Sequence, residues 1–147
     1  MILGRAEIEA LIPHRAPILM LDRVVELVPG ERGTGEADLP PGAACFAGHF
    51  PGVPIVPGAF IVEACGQLLA VVLRTAMGAA AYAGEPPIEY LASIERFKFL
   101  SPAVPDEILR MDVRVGRRAA GLLSARVSAS VAGRAVAEGV LNVTAQR

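Results

Sequence analysis

Alternation of apolar and polar residues in the last third of the chain predicts an antiparallel sheet. Apolar side chains occupy every second position over 109–115 and again over 123–131, which is the pattern of strands with one buried face. A short link at 117–121 is expected between these two strands. The Ala-Gly pair at 132–133 then forms a tight turn into a third strand over 134–144. The three strands are expected to form a meander.

A continuous apolar stretch in the middle of the chain predicts one long helix. Residues 59–73 contain no proline and follow a Pro-Gly pair, so the helix should begin near Gly58 and end near 77–78. A helix that is apolar on nearly all sides is buried on nearly all sides. The stretch is shorter than a membrane span and is interrupted by Glu63 and Gln67, so it is interpreted as a core helix and no membrane association is expected.

The other segments complete an α+β pattern. A short helix is predicted near 6–11, two strands between 19 and 39, an irregular proline-rich segment, and a further strand over 89–99. A chain of 147 residues forms one domain with a single core. The sequence therefore predicts one domain over 1–147, in which an antiparallel sheet wraps a long central helix and only one face of the sheet is covered by that helix.

Charge and cysteine content exclude several classes of function. Fourteen Lys and Arg against 15 Asp and Glu leave a net charge of −1, so binding of nucleic acid through phosphate neutralisation is not expected. Charged residues within the first twenty positions argue against a signal peptide, which favours a cytoplasmic location. Cys45 and Cys65 are interpreted as reduced packing residues, and neither a disulfide nor a metal site is expected.

The segment GHFPGVPIVPG, at 48–58, is the first candidate for chemistry. Its three prolines and three glycines fix an irregular backbone directly before the long helix. Ordered loops held against a rigid element commonly carry functional residues, and His49 lies in this one beside Phe50. A histidine in a loop can serve as a base or can only cap a turn.

Glu63 adds a second candidate group because it lies inside the apolar helix. A buried carboxyl group requires a partner, and burial is expected to raise the pKa of Glu63 and keep it protonated. Gln67, one turn further along, could orient this carboxyl group, bind substrate or simply pack. Free backbone N–H groups near Gly58 could stabilise an enolate oxygen. Base, acid and oxyanion donor together predict an elimination or isomerisation next to a carbonyl group.

Three segments of the chain form recognisable motifs: LIPHRAPILMLDRV at 11–24, CFAGHFPGVPIVPGAFIVEACGQ at 45–67 and YLASIERFKFLSPAVP at 90–105. Together they resemble the (3R)-hydroxyacyl-[acyl carrier protein] dehydratases of bacterial fatty acid synthesis, which have the hot-dog fold. The middle segment is the most specific of the three. The resemblance implies a dimeric hot-dog protein that needs no cofactor.

The resemblance also implies a role for each site residue. His49 removes the C2 proton of a 3-hydroxyacyl thioester, and the partner subunit's Glu63 protonates the departing hydroxyl, which leaves a trans-2-enoyl thioester. The carbonyl of Ile55 holds the His49 ring and the amide of Gly58 binds the thioester oxygen. Phe50 and Gln67 complete the substrate-binding set. A glutamate as the acid resembles the plain dehydratases and not the relatives that also isomerise the double bond.

The resemblance implies an acidic partner, acyl carrier protein, which delivers the acyl group on a phosphopantetheine arm. Alternation in the strand over 89–99 places Arg96 and Lys98, the only lysine, on one face, where they are expected to meet the arm or the carrier. Their alternative role is that of ordinary solvated charges. Phe99 stands where a second basic residue is common in the family. His14 is interpreted as a structural residue.

Two other functions remain open at this point. A hot-dog thioesterase would use a carboxylate on the helix to activate water and would not need His49. A non-catalytic acyl-binding subunit of a synthase would bind without turnover. A homodimer is expected because two subunits hide more of the apolar helix than one small sheet can. The sequence does not distinguish a dimer from a trimer of dimers, nor does it give acyl chain length or pathway.

Overall fold

One long helix packs against a six-stranded antiparallel sheet in the computed structural model, which describes residues 2–85 and 89–145. The predicted α+β architecture is therefore confirmed. In chain order, the helices and strands are α1 (Arg5–Leu11), β1 (Arg23–Val28), β2 (Arg32–Asp38), α2 (Gly58–Thr75), β3 (Glu89–Phe99), β4 (Ile108–Ala119), β5 (Leu122–Val131) and β6 (Arg134–Ala145). Short 3-10 turns lie at Ala44–Phe46 and Gly78–Tyr82.

The strand order across the sheet is β1-β2-β4-β5-β6-β3. The predicted meander is confirmed, since β4 pairs with β5 and β5 with β6. The link predicted for 117–121 is wrong: β4 continues to Ala119, and the turn consists of Ala120 and Gly121, with φ of 52° and 76°. Apolar alternation stops where the hairpin extends beyond the core, although the strand itself continues.

Two glycines of β2 let α2 approach the sheet closely. A Cβ atom on Gly35 would lie 2.5 Å from Cδ1 of Leu21 and 3.2 Å from Cδ1 of Leu68, both of which are fully buried. A Cβ atom on Gly33 would lie 2.7 Å from Cγ2 of Val72. The two positions therefore leave room for the apolar side chains of α2.

The Gly35→Ala variant is expected to lower the free energy of unfolding by about 1–3 kcal/mol, because an added methyl group overpacks a dense core. Gly42→Ala is the matched control, since a Cβ atom there meets nothing within 4 Å. Both changes reduce the entropy of the unfolded chain equally, so their difference reports the packing effect. Urea denaturation of both variants measures it, and equal stabilities would contradict the close approach.

The long helix is a core helix, as predicted. It is longer than the 59–73 stretch, and its 18 residues do satisfy the length and composition of a membrane span, so the argument from length was wrong. Burial supports the core assignment instead, because 61% of the helix is buried inside the fold. Four consecutive turns of α2 bury their apolar positions, including Leu68, Leu69, Val71 and Val72.

Uncovered apolar surface lies on the outermost strand β3 and not on α2. Ala59 is the only α2 residue classed as exposed, because the N-terminal segment covers the side of α2 that the sheet leaves free. Large apolar side chains of β3 are about half exposed, namely Tyr90, Leu91, Ile94 and Phe99. The expectation that one chain leaves much of the apolar helix uncovered is therefore wrong, because the exposed apolar side chains lie on β3 instead.

Candidate active site

The proline- and glycine-rich loop before α2 fixes the His49 ring. Nδ1 of His49 lies 2.9 Å from the carbonyl oxygen of Ile55, and the Ile55 amide donates to the His49 carbonyl at 2.9 Å. The Val56 amide donates to the Ala103 carbonyl at 2.9 Å, which ties the loop to the connection between β3 and β4. Because a carbonyl only accepts, the proton of a neutral His49 ring resides on Nδ1, which leaves Nε2 with a free lone pair.

Phe50 stacks on the His49 ring, with 4.0 Å between ring centroids and 26° between planes. This contact limits the orientations of the imidazole, while the phenyl ring itself remains about half exposed. Phe50 therefore supports His49 from one side and offers an apolar surface on the other.

Gly58 begins α2, as predicted, and its amide is one of the N–H groups that a helix leaves without an internal acceptor. The first two hydrogen bonds of the helix are made by Phe60 and Ile61 to the Pro57 carbonyl. A Cβ atom on Gly58 would lie 2.8 Å from Cε1 of Phe99, so the ring of β3 lies directly against the start of the helix. Phe99 is thus placed beside the candidate oxyanion donor.

Gln67 is fully buried and makes four hydrogen bonds. Its Nε2 donates to Oε1 of Glu63 at 3.0 Å and to the Ile18 carbonyl at 2.8 Å. Its Oε1 accepts from the amides of Met20 and Leu21 at 2.9 and 3.3 Å. Of the alternatives open for Gln67, the geometry shows the contact with the Glu63 carboxyl group, combined with anchoring of the N-terminal segment.

The expected pKa of Glu63 is wrong. The contact with His14 lowers the pKa of the Glu63 carboxyl group below its ordinary value of 4.5, and this effect, together with the Gln67 hydrogen bond, outweighs the opposing effect of burial. The side chain is also 36% exposed, so burial within one chain is incomplete. Glu63 is therefore ionised at neutral pH in the isolated chain.

His14 is the residue whose place in this cluster the sequence did not indicate. Its Nε2 lies 3.3 Å from Oε1 of Glu63, although the two residues are 49 positions apart. The only signal in the sequence was that PHR lies within one of the segments that carry the family resemblance. The interpretation of His14 as a structural residue, which rested on its place after a proline at the edge of the first strand, did not include a contact with α2.

His49 and Glu63 are not hydrogen-bonded to each other in the part of the chain that the structure describes. The contacts of Glu63 are made with Gln67 and His14, and those of the His49 ring with Ile55 and Phe50. Two cavities, a groove of about 1110 Å³ and a cleft of about 320 Å³, are lined by neither His49 nor Glu63. Within one chain, His49 and Glu63 therefore have different contact partners.

Arg96 and Lys98 both line the 1110 Å³ groove, which lies on the sheet face opposite α2. A β-bulge between Glu95 and Lys98, with Arg96 at φ 49°, interrupts the alternation that predicted their common face. The two side chains are both exposed. Five basic and three acidic side chains line the groove, which gives it a net positive charge.

The family model and two similar relatives of known name point to the same protein family. The family model of the FabA-like domain matches residues 12–140. The 3-hydroxyacyl-[acyl-carrier-protein] dehydratase FabZ of Granulibacter bethesdensis is 39% identical over 93% of this chain and 79% of its own length. FabZ of Roseiflexus sp. (strain RS-1) is 40% identical over 92% of this chain and 91% of its own.

Solved structures show the fold. The dehydratase heterocomplex ApeI:P from Xenorhabdus doucetiae has a TM-score of 0.78 at 14% identity, covering 95% of this chain and 91% of that one. A hypothetical thioesterase with coenzyme A from Streptococcus pneumoniae has a TM-score of 0.62 at 10% identity, covering 84% of each chain. The hot-dog fold is therefore confirmed, although it is shared by proteins named for different reactions. Because the family model covers most of the chain and the FabZ relatives are about 40% identical along it, the protein belongs to the FabA-like domain family.

Proposed function

We propose that the protein dehydrates (3R)-3-hydroxyacyl thioesters carried by acyl carrier protein, in fatty acid synthesis or a related lipid or polyketide assembly. The observation that carries the proposal is the hydrogen bond from His49 Nδ1 to the Ile55 carbonyl, which leaves Nε2 free as a base. The FabZ relatives, whose names give this activity, support it along nearly the whole chain.

In the proposed reaction, Nε2 of His49 takes a proton from C2, and the electrons of that C–H bond form the C2–C3 double bond. The C3–O bond breaks, and the departing hydroxyl takes a proton from Glu63 and leaves as water. The Gly58 amide donates to the thioester oxygen, on which negative charge develops. No electrons are gained or lost overall, so no cofactor is required.

The complete site is proposed to form between two subunits, with His49 from one and the partner subunit's Glu63 from the other. Two observations support this: the two residues have separate surroundings within one chain, and β3 is an unpaired sheet edge with exposed apolar side chains. Such an edge is suited to pairing with a second copy, which gives a homodimer. Dimers of this kind can assemble further into a trimer of dimers.

Dimerisation also bears on the ionisation of the acid. Glu63 is 36% exposed in one chain, and a second subunit that covers it would remove water from the carboxyl group. Loss of water raises the pKa of a carboxyl group, which opposes the effect of His14. We therefore propose that Glu63 is protonated, and can act as the acid, in the assembled dimer and not in the isolated chain.

The function is tested by following hydration of a crotonyl thioester through loss of its conjugated absorbance. The expected result is hydration by the wild-type protein without release of free thiol. No turnover, even with the substrate bound to acyl carrier protein, would overturn the proposal and favour a non-catalytic acyl-binding subunit.

A thioesterase is the second candidate, and the lowered pKa of Glu63 favours it, because an ionised carboxylate can activate water. The hypothetical thioesterase with the same fold shows that hot-dog proteins are named for that reaction too. A thiol-sensitive dye in the same assay separates the two functions. Thiol release that is lost in Glu63→Ala and kept in His49→Ala would identify hydrolysis.

Acyl carrier protein is the proposed partner, docking on the groove that contains Arg96 and Lys98. Net positive charge complements an acidic carrier and increases the rate of encounter. We also propose a cytoplasmic location, in keeping with burial of α2 inside the fold.

Lys98→Glu is expected to raise KM for a carrier-bound substrate about tenfold while leaving KM for a crotonyl N-acetylcysteamine thioester unchanged, because the small substrate has no acidic carrier. Arg118→Glu is the matched control, since Arg118 is exposed but does not line the groove. Added salt should weaken the difference. An equal rise of KM in both variants, or in neither, would contradict docking at this groove.

A further inference from the structure

His14 and the acid Glu63 form a contact that the proposed reaction does not by itself require. Nε2 of His14 lies 3.3 Å from Oε1 of Glu63, the same oxygen that accepts from Gln67 at 3.0 Å. Both known donors therefore converge on one oxygen. Within the described part of the chain, Oε2 accepts no hydrogen bond, so it is the oxygen available to a substrate.

The segment that carries His14 is anchored on the side toward α1. The Arg15 guanidinium donates to the carbonyl oxygens of Glu9, Ile12 and His14 at 2.9, 2.9 and 2.7 Å. These include carbonyls at the end of α1, which a helix leaves without internal donors. The backbone of His14 is thereby fixed relative to α1.

A second anchor lies on the other side of His14. Three of the four hydrogen bonds of Gln67 are made with the carbonyl of Ile18 and the amides of Met20 and Leu21. The same Gln67 side chain also contacts Glu63. Gln67, which orients the acid, therefore also holds the segment that carries His14. The position of His14 against Glu63 thus depends on these backbone anchors as well as on its own side-chain contact.

The surroundings of the imidazole indicate which nitrogen interacts with the carboxylate. Nδ1 of His14 is buried and has no hydrogen-bond partner within the described residues. A proton on Nδ1 would leave a buried donor unsatisfied, whereas Nε2 lies 3.3 Å from Oε1 of Glu63, so a proton on Nε2 is the one that a carboxylate oxygen can stabilise. The favoured neutral tautomer therefore donates from Nε2.

We propose that His14 is a positioning residue for the acid: its Nε2–H fixes Oε1 of Glu63 and so presents Oε2 to the substrate hydroxyl. This inference rests on the proposed dehydratase function. A carboxyl group held by two donors on one oxygen cannot rotate freely, and fixed orientation of an acid can change a reaction rate by orders of magnitude. His14 itself need not touch the substrate.

Other charged groups bear on the same cluster. Glu89 on β3 lies close enough to interact with His14 when the imidazole is protonated, and Arg74 on α2 interacts with Glu89. Arg15 contacts the His14 carbonyl, and Gln67 is the uncharged partner of Glu63. Of these groups, His14 makes the largest contribution to lowering the pKa of Glu63.

Removing His14 is expected to change kcat in opposite directions, depending on whether His14 acts by positioning Glu63 or only by lowering its pKa. His14→Ala raises the pKa of Glu63, so the alkaline limb of the rate profile that reports loss of the Glu63 proton moves to higher pH. An acid that needs only its proton would then work as well or better at neutral pH. If His14 positions the acid, kcat instead falls about tenfold or more, with KM nearly unchanged.

Two amide variants supply matched controls. His14→Gln places an N–H donor near the position of Nε2 and is expected to recover most of kcat, whereas the shorter His14→Asn places its donor near Nδ1 and is not. Pro13→Ala, at an exposed neighbour, reports on loop disturbance alone. A His14→Ala enzyme with kcat equal to or above wild type, or equal rates for the Gln and Asn variants, would overturn the proposal.

A readout that does not need turnover separates this inference from the proposed function. The chain has two histidines, so imidazole 15N spectra show two sets of signals. Glu63→Gln is expected to shift the Nε2 signal of the set that His14→Gln removes. An unchanged His14 signal would overturn the contact whatever the activity, while a shifted signal in a wild-type protein without dehydratase activity would overturn only the function.

Discussion

Replacing His49 with alanine is expected to lower kcat for hydration of a crotonyl thioester by about a hundredfold to ten-thousandfold, because the reaction loses its base. The size of the effect follows from the fixed tautomer: Nδ1 is occupied by the Ile55 carbonyl, and Nε2 is the only ring nitrogen left to accept a proton. Steady-state kinetics of the two proteins, at equal concentration of folded enzyme, measure it.

A second variant separates loss of the base from disturbance of the loop. His49→Asn keeps an N–H donor near the position of Nδ1, so the hydrogen bond to Ile55 can persist, but it has no basic nitrogen in place of Nε2. Equal loss of activity in the Ala and Asn variants, with the Asn variant closer to wild type in thermal stability, is the expected result. A loss under about tenfold in His49→Asn would remove His49 from the role of base.

The strands were predictable from the sequence because alternation reports directly on burial. It placed the buried faces of β4 and β5 correctly, whereas the correct bounds of β3 were predicted from the prolines that flank it in the sequence. The same reasoning failed at Arg96, where a bulge shifts the register, and beyond Val115, where β4 leaves the core. Apolar periodicity carries no information about a strand that has no core to face.

The electrostatics of the site were less predictable than its residues. The segment 48–58 and Glu63 could be identified as candidates from their composition alone, and the structure gives His49 its predicted partner in Ile55. The pKa of Glu63 was predicted in the wrong direction because its main partner, His14, comes from a loop whose position depends on the tertiary fold. Burial can be inferred from neighbours in sequence, whereas a hydrogen bond to a distant loop cannot.

The proposed site shared between two subunits leads to the prediction that two inactive variants complement each other. A mixed dimer of a His49→Ala subunit and a Glu63→Gln subunit contains one site with both residues replaced and one site with both intact. Random pairing makes about half of the dimers mixed, so about a quarter of wild-type activity is expected from the mixture, and the fraction is the same if dimers assemble further. Each variant alone should remain inactive.

Complementation tests the origin of the acid independently of its pKa. The subunits are unfolded together and refolded, native mass spectrometry verifies that mixed dimers form, and the crotonyl assay gives the activity. Restored turnover requires that His49 and the partner subunit's Glu63 act together, because neither chain in the mixture carries both groups. Mixed dimers without activity would mean that the catalytic pair lies within a single chain. That result would overturn the shared site that we inferred from the different contacts of His49 and Glu63.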